Sequence, residues 1–120
     1  MAEPRGSLKE RLRSPGSSSP SDALDALPDA VAAAAFRRLV RHLQNRHDAQ
    51  NIDLMGLAGF CRNCLADWIG DAGFSGDKAV ARALIHGMAA EEWKATRQSE
   101  ATAEQIDFME KSVARNQPQD

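Results

Sequence analysis

Residues 53–70 read DLMGLAGFCRNCLADWIG, and we expect the rest of the protein to pack around this segment. At about 100° per residue, most of its apolar side chains share one broad face of a helix: Leu54, Leu57, Ala58, Cys61, Cys64, Leu65 and Trp68. The opposite side carries a run of small residues: Gly56, Gly59, Asn63 and Ala66. Arg62 points away from the apolar face. The pattern predicts one continuous helix from about Asp53 to Gly70, buried and packed on two sides.

The segments on either side are also helical in pattern, and no stretch alternates apolar and polar residues as a half-buried strand does. The predicted helices run from about 28 to 46 or 47, from 53 to 70, from 75 or 77 to 87, around 91–94, and from 102 onward. Asn51 or Asp53 is expected to cap the central helix, and Gly87 to end the third. Residues 102–105 (TAEQ) form a capping-box pattern. The sequence therefore predicts an all-α bundle of about four to five helices.

The chain divides by composition into a tail and one small domain. Residues 1–27 are rich in Pro and Ser and contain too little apolar surface to offset the entropy of ordering. We expect a disordered tail there, with a short helical turn near 22–27. Residues 28–115 are predicted to form the helical domain, and residues 116–120 a frayed C-terminus.

Composition narrows the class of function. The net charge of −2 argues against a nucleic-acid-binding domain, and no apolar run approaches the roughly 18 residues that a membrane span needs. The first residues lack the apolar core of a secretory signal, and two cysteines cannot staple a secreted scaffold. We therefore expect a cytoplasmic protein.

Charge is unevenly distributed along the chain. Basic residues mark the first long helix (Arg37, Arg38, Arg41 and Arg46), and acidic residues mark the C-terminal part (Glu91, Glu92, Glu100, Glu104, Asp107 and Glu110). Complementary packing within the fold or across a dimer would explain this separation. The partner is therefore expected to be a protein or a second copy of the chain.

The Cys61-Arg62-Asn63-Cys64 motif has three interpretations. Tetrahedral zinc needs about four ligands. A mixed site would combine Cys61, Cys64 and His42 with Asp48 or Asp53. A redox pair would normally lie at a helix N-terminus, whereas these cysteines are predicted to lie two turns inside a helix. The interpretation that we favour is two buried thiols that pack as small apolar groups. No cofactor is predicted, and zinc or another transition metal remains the alternative.

A second candidate site is the polar loop before the central helix. Its ligand-binding candidates are His42, Arg46, Gln50, Asn51, Asp53 and Asn63. The amides at a helix N-terminus, together with His42 and Arg46, could form an anion or small-ligand pocket. The structural alternative is an ion pair from Arg46 to Asp53 or Asp48 that fixes the turn. No catalytic residue is assigned.

The string QNIDLMGLAGFCRNCL at residues 50–65 resembles the signature of a small proteobacterial family known as domain of unknown function 1244. Residues 42–44 (HLQ) and 87–94 (GMAAEEWK) are also similar to that family, so the resemblance covers about residues 36–98. It implies a compact all-helical protein of the bacterial cytoplasm with no assigned activity. Gly56, Ala89 and Ile69 depart from the residues expected there, which are Asn, Pro and an aromatic. The resemblance favours the polar members of the signature as site residues: His42, Gln50, Asn51, Asp53, Arg62 and Asn63.

Taken together, these features favour a non-catalytic interaction or accessory module over an enzyme. The alternative is a metal- or small-ligand-binding protein, or an enzyme, that uses Cys61 and Cys64 with His42 and Asp53.

Overall fold

The computed structural model describes residues 20–118, and side chains from residue 22. These residues contain seven α-helices and no strand: α1 (Pro20–Asp25), α2 (Asp29–Gln44), α3 (Asn51–Ala58), α4 (Arg62–Asp71), α5 (Lys78–His86), α6 (Ala90–Thr96) and α7 (Ala103–Val113). The all-α class is confirmed, but the predicted count of four to five helices is too low. Residues 1–19 of the tail predicted at 1–27, and residues 119–120 of the frayed C-terminus predicted at 116–120, lie outside the described residues, while α1 lies close to the turn expected at 22–27.

The chain divides into two compact units, residues 1–38 and residues 39–120. Within the second unit, α3 packs against α7, α4 against α5, and α5 against α6. Its buried apolar residues include Leu43, Leu65, Ile85 and Trp93. The side-chain contacts that form the candidate sites described below belong to this second unit.

The predicted continuous helix at 53–70 is in fact two helices, α3 and α4. Gly59 ends α3 in the left-handed region at φ 77°, and its N–H donates to the Met55 carbonyl. Cys61 is extended, at φ −144°, and α4 begins at the next residue. Glycine adopts a positive φ without the steric cost that a side chain brings, so Gly59 acts as a helix C-cap rather than as a helical residue.

The break changes which faces are buried. Leu57 and Trp68, predicted to lie on the buried face, are 75% and 45% exposed. Arg62, predicted to point away from the core, is 0% exposed. A helical wheel assumes one unbroken axis, and the turn at Gly59 gives α4 a new axis and a new inner face. The small-residue side is indeed packed, because Gly56 lies directly against the Phe108 ring of α7.

Several helix boundaries match the sequence signals. Asp77 caps α5 by accepting from the Val80 N–H at 2.9 Å, and Gly87 ends α5 at φ 79°. Thr102 and Gln105 form the predicted capping box of α7, with hydrogen bonds of 3.1 and 2.8 Å. The cap of α3 differs from prediction: it is Gln50 and neither Asn51 nor Asp53. In addition, α2 ends at Gln44, whereas the expected end was Arg46 or His47.

Candidate functional site

Arg62, the first residue of α4, is a completely buried arginine that binds the end of α2 and the loop after it. Its Nη2 donates to the carbonyls of Leu43 at 3.1 Å and Arg46 at 2.9 Å, and its Nη1 donates to the carbonyl of Ala49 at 2.7 Å. The last carbonyls of a helix have no partner inside the helix and carry its negative dipole end. The guanidinium therefore supplies both the hydrogen bonds and the positive charge that this helix end lacks.

Asn51 holds Arg62 from the other side. Its Oδ1 accepts from Nη1 at 3.0 Å and from the Arg62 backbone N–H at 3.3 Å. Burial lowers the pKa of the Arg62 guanidinium, but an arginine remains charged even so. No ion pair joins Arg62 to a carboxylate of the described residues, so carbonyl dipoles balance the charge.

An aromatic pair closes the arginine site. The Cζ of Arg62 lies 5.0 Å from the centroid of the Trp93 ring, a cation–π geometry, and Trp93 is itself 2% exposed. The His86 ring meets Trp93 edge-on, with centroids 5.1 Å apart and planes at 67°. Trp93 thereby anchors the short helix α6 on the core.

His86 has a defined protonation pattern. Its Nδ1 lies 2.8 Å from the Arg82 carbonyl, and because a carbonyl only accepts, Nδ1 must carry a proton. Burial lowers the pKa of His86, and the nearby Arg62 and Arg82 lower it further. In the neutral ring, Nε2 therefore carries a lone pair and acts as an acceptor.

A small polar cavity of about 160 Å³ lies beside these rings. Its lining residues come from α3 to α6 and the segment after α6: Asn51, Asn63, Arg82, His86, Ala90, Glu91, Trp93, Lys94 and Gln98. Two of the three segments that carry the family resemblance, 50–65 and 87–94, meet at this cavity. Of the predicted ligand-binding residues, Asn51 and Asn63 are the two that line it.

The other residues predicted for the polar site either make contacts that hold the fold together or make no side-chain hydrogen bond among the described residues. Arg46 pairs with Asp48 through two bonds of 2.9 and 2.8 Å, one of the two ion pairs expected to fix the turn, and Arg46 lowers the pKa of Asp48 to about 2. Asp53 accepts from the Gln50 N–H at 3.3 Å and from Gln105 Nε2 at 2.8 Å. His42 is exposed on α2, and its side chain makes no hydrogen bond within the described residues.

Gln50 connects the start of α3 to the chain beyond α6. Its Nε2 donates to the Arg97 carbonyl at 2.9 Å and to the His47 carbonyl at 3.1 Å, and its Oε1 accepts from the Ser99 N–H at 2.8 Å. These bonds use the whole side-chain amide in holding the loops together.

The cysteine pair lies at the N-terminus of α4, which corrects its predicted position inside a helix. Cys61 immediately precedes α4 and Cys64 lies in its first turn, with the two Sγ atoms 4.0 Å apart. This location would favour a thiolate, but Cys61 is 7% exposed and burial raises the pKa of its thiol. Within the described chain, no three His, Cys, Asp or Glu residues form a group that could hold a metal, so His42 does not join the two cysteines.

A second, larger concavity lies on the other side of Cys64. The Phe60 and Trp68 rings stack there with centroids 5.9 Å apart and planes at 25°. The groove has a volume of about 910 Å³ and is lined by Ala58, Gly59, Phe60, Cys64, Trp68, Asp71, Ala72, Asn116 and Gln117. We call it the Phe60–Trp68 groove.

Arg82, His86 and Lys94 are not among the site residues predicted from the sequence. They lie on α5 and α6, and of the three only Lys94 belongs to a segment that resembles the family, residues 87–94. The one available signal was Arg62, the basic residue of the family signature.

The fold and site define a small all-helical protein with a buried arginine at the centre of its candidate site. None of its described helices is long and apolar enough to cross a membrane. The model of a family of proteins of unknown function, DUF1244, matches residues 49–111, and the chain belongs to that family. No curated protein was found to match it.

Proposed function

We propose that this protein is a non-catalytic, cytoplasmic interaction module that binds a second copy of itself through the Phe60–Trp68 groove. The observation that carries the proposal is the exposure of large apolar side chains at this place. Trp68 in the groove is 45% exposed, and Leu57, which precedes the groove residue Ala58, is 75% exposed. Large apolar side chains exposed beside a groove are typical of a protein-binding site.

The groove also has a chemical preference. Asp71 lines it as an exposed carboxylate, and no ion pair within the described residues involves it. A matching occupant carries an apolar side chain close to a basic one. The exposed surface of α2 carries both kinds of side chain, with Leu39 39% exposed and Arg41 exposed two residues later in the same helix.

The charge separation along the chain supports an intermolecular contact. Two ion pairs occur among the described residues, Arg46–Asp48 and Lys111–Asp107, and each is local in sequence. Neither connects the basic residues of α2 with the acidic residues of the C-terminal helices. Of the two explanations for the separated charges, pairing across a dimer is therefore the one that these residues favour.

The test is the molar mass measured by light scattering after size-exclusion chromatography over a range of concentrations. We expect twice the 13.0 kDa of one chain at high concentration. Leu39→Ser should shift the equilibrium to monomer, whereas Leu84→Ser, the same change at an exposed leucine of α5, should leave it unchanged. A monomeric mass at every concentration would contradict the proposal.

Charge reversal gives a sharper second test. Asp71→Lys and Arg41→Glu should each prevent self-association, because each places like charges in contact. An equimolar mixture of the two variants should dimerise, since both contacts then join opposite charges. Failure of the mixture to associate would exclude this orientation of the two copies.

A further inference from the structure

The polar cavity between α4, α5 and α6 has features of a binding site that are independent of the Phe60–Trp68 groove. Its volume of about 160 Å³ equals that of about five waters, at roughly 30 Å³ each, so it has room for a small ion rather than for a large metabolite. Its walls are polar on most sides, with Asn63, Arg82, His86 and Lys94 among the lining residues. We propose that this cavity binds the phosphoryl oxyanion of inorganic phosphate or of a phosphomonoester.

Two basic side chains give the cavity a positively charged lining. Arg82 and Lys94 both line it, and neither forms an ion pair with any described residue. The Nε of Arg82 is buried and has no hydrogen-bond acceptor, so the protein leaves this guanidinium partly unsatisfied. Glu91 also lines the cavity, one turn before Lys94, which leaves one net positive charge when His86 is neutral.

Two side-chain amides supply further hydrogen-bond donors to the cavity. The Oδ1 of Asn51 accepts from Arg62, which leaves its Nδ2 as a donor with no acceptor among the described residues. The Asn63 side chain lines the same cavity and makes no hydrogen bond within the described chain. Amide and guanidinium donors around a small volume suit an anion that has several acceptor oxygens.

His86 provides a reason for the cavity to prefer a phosphoryl group to a simple carboxylate. Its Nδ1 donates to the Arg82 carbonyl, so the neutral ring offers Nε2 only as an acceptor. A monoprotonated phosphate, or a phosphomonoester in its monoanionic form, carries a P–O–H that can donate to this nitrogen. Acetate and nitrate have no such hydroxyl and would bring an oxygen lone pair against it.

The wall around this acceptor is fixed in place. His86 packs edge-on against Trp93, and Trp93 lies against the fully buried Arg62. A site whose side chains are already held binds with less loss of conformational freedom. The buried arginine would therefore position the phosphate-binding groups without touching the ligand.

The experiment is a titration of the full-length chain with inorganic phosphate, followed by backbone and side-chain ¹H–¹⁵N NMR at constant ionic strength. We expect saturable shifts concentrated at Asn63, His86 and Trp93. Acetate should bind about tenfold more weakly, because it lacks the hydroxyl. Methyl phosphate serves as the second probe, and its affinity relative to phosphate decides between a monoester and the free anion as the ligand.

Two variants and one control test the assignment. Arg82→Gln and Lys94→Gln should each raise the Kd by about tenfold, and Arg115→Gln, which changes an exposed arginine outside the cavity, should leave it unchanged. Lys94 is exposed, so its replacement keeps the test valid even where Arg82→Gln impairs folding. Unsaturable shifts, equal binding of acetate, or an unchanged Kd in folded variants would overturn the proposal.

Discussion

The guanidinium of Arg62 lies over the ring of Trp93, with its Cζ 5.0 Å from the ring centroid. The two residues are 31 positions apart in the sequence, on α4 and α6, and both are almost fully buried. The same guanidinium donates to three backbone carbonyls at the end of α2 and in the loop after it. This arginine therefore joins α4, the end of α2 with the loop after it, and α6.

Replacing Arg62 should be the most damaging single change in the second unit. Arg62→Met leaves the carbonyls of Leu43, Arg46 and Ala49 without their donor, and each unsatisfied buried group costs about 1–3 kcal/mol. We expect the free energy of unfolding in urea to fall by about 3–5 kcal/mol. Arg115→Met, at an exposed arginine, should change it by no more than about 0.5 kcal/mol, and a similar loss in both variants would contradict the role of Arg62.

Gly56 and Gly70 form a matched pair for testing the α3–α7 contact. A Cβ at Gly56 would collide with the Phe108 ring, whereas a Cβ at Gly70 meets no atom within 4 Å. Gly56→Ala should lower the free energy of unfolding by about 1–3 kcal/mol, because α3 and α7 must separate. Gly70→Ala should raise it by about 0.5–1 kcal/mol through helix propensity. Thermal or urea unfolding measures both, and equal effects at the two positions would argue against this packing.

The stability of the protein should depend on the protonation of His86. Burial holds the pKa of His86 below its ordinary value of 6.5, so the unfolded chain binds a proton that the folded chain excludes. The stability that neutral His86 provides is complete above pH 6.5 and is lost as the pH falls through the lower folded-state pKa. Glu91 and Lys94 line the same cavity, and the nearby Arg62 and Arg82 oppose protonation.

Urea unfolding between pH 7.5 and pH 5 (chosen to span roughly one unit or more on either side of the ordinary value) measures this dependence. His86→Gln should flatten the decline in this range. His42→Gln, at an exposed histidine of α2, should retain it. A decline that is the same in wild type and His86→Gln would show that other groups cause it.

The two cysteines should react at different rates in the native protein. Cys61 is 7% exposed and burial raises the pKa of its thiol, while Cys64 is half-buried and lines the Phe60–Trp68 groove. We expect alkylation at neutral pH to modify Cys64 first and Cys61 only on unfolding. Mass spectrometry of wild type, Cys61→Ser and Cys64→Ser identifies the modified thiol, and rapid modification of Cys61 in the folded protein would exclude its burial.

A feature of this structure could be predicted from the sequence when the residues that determine it lie close together along the chain. The Asp77 cap, the Gly87 helix end and the Thr102–Gln105 capping box involve residues within one helical turn, so a short pattern contains both partners. The Arg46–Asp48 pair is equally local and was one of two expected pairs. Helix content and helix ends were therefore largely predictable.

The break after Ala58 was not predictable in the same way. Gly56 and Gly59 lie in the same apolar stretch, and either can continue a helix or end it. Asn116 Nδ2 donates to the Gly59 carbonyl at 2.9 Å and so satisfies one of the groups that the helix end exposes. Asn116 follows α7, and α7 itself packs against α3. The residues that stabilise the break are therefore far from it in the sequence.

The sequence by itself determined the all-helical class, most helix boundaries and the family to which the chain belongs, because short-range spacing and caps encode them. Tertiary structure decided which residues form the sites. It placed the charged Arg62 inside and the apolar Trp68 outside, and it brought Asn63, His86 and Lys94 around one cavity. The reason is that a buried charge is stable only where distant carbonyls and a ring converge on it, and no local pattern in the sequence records that convergence.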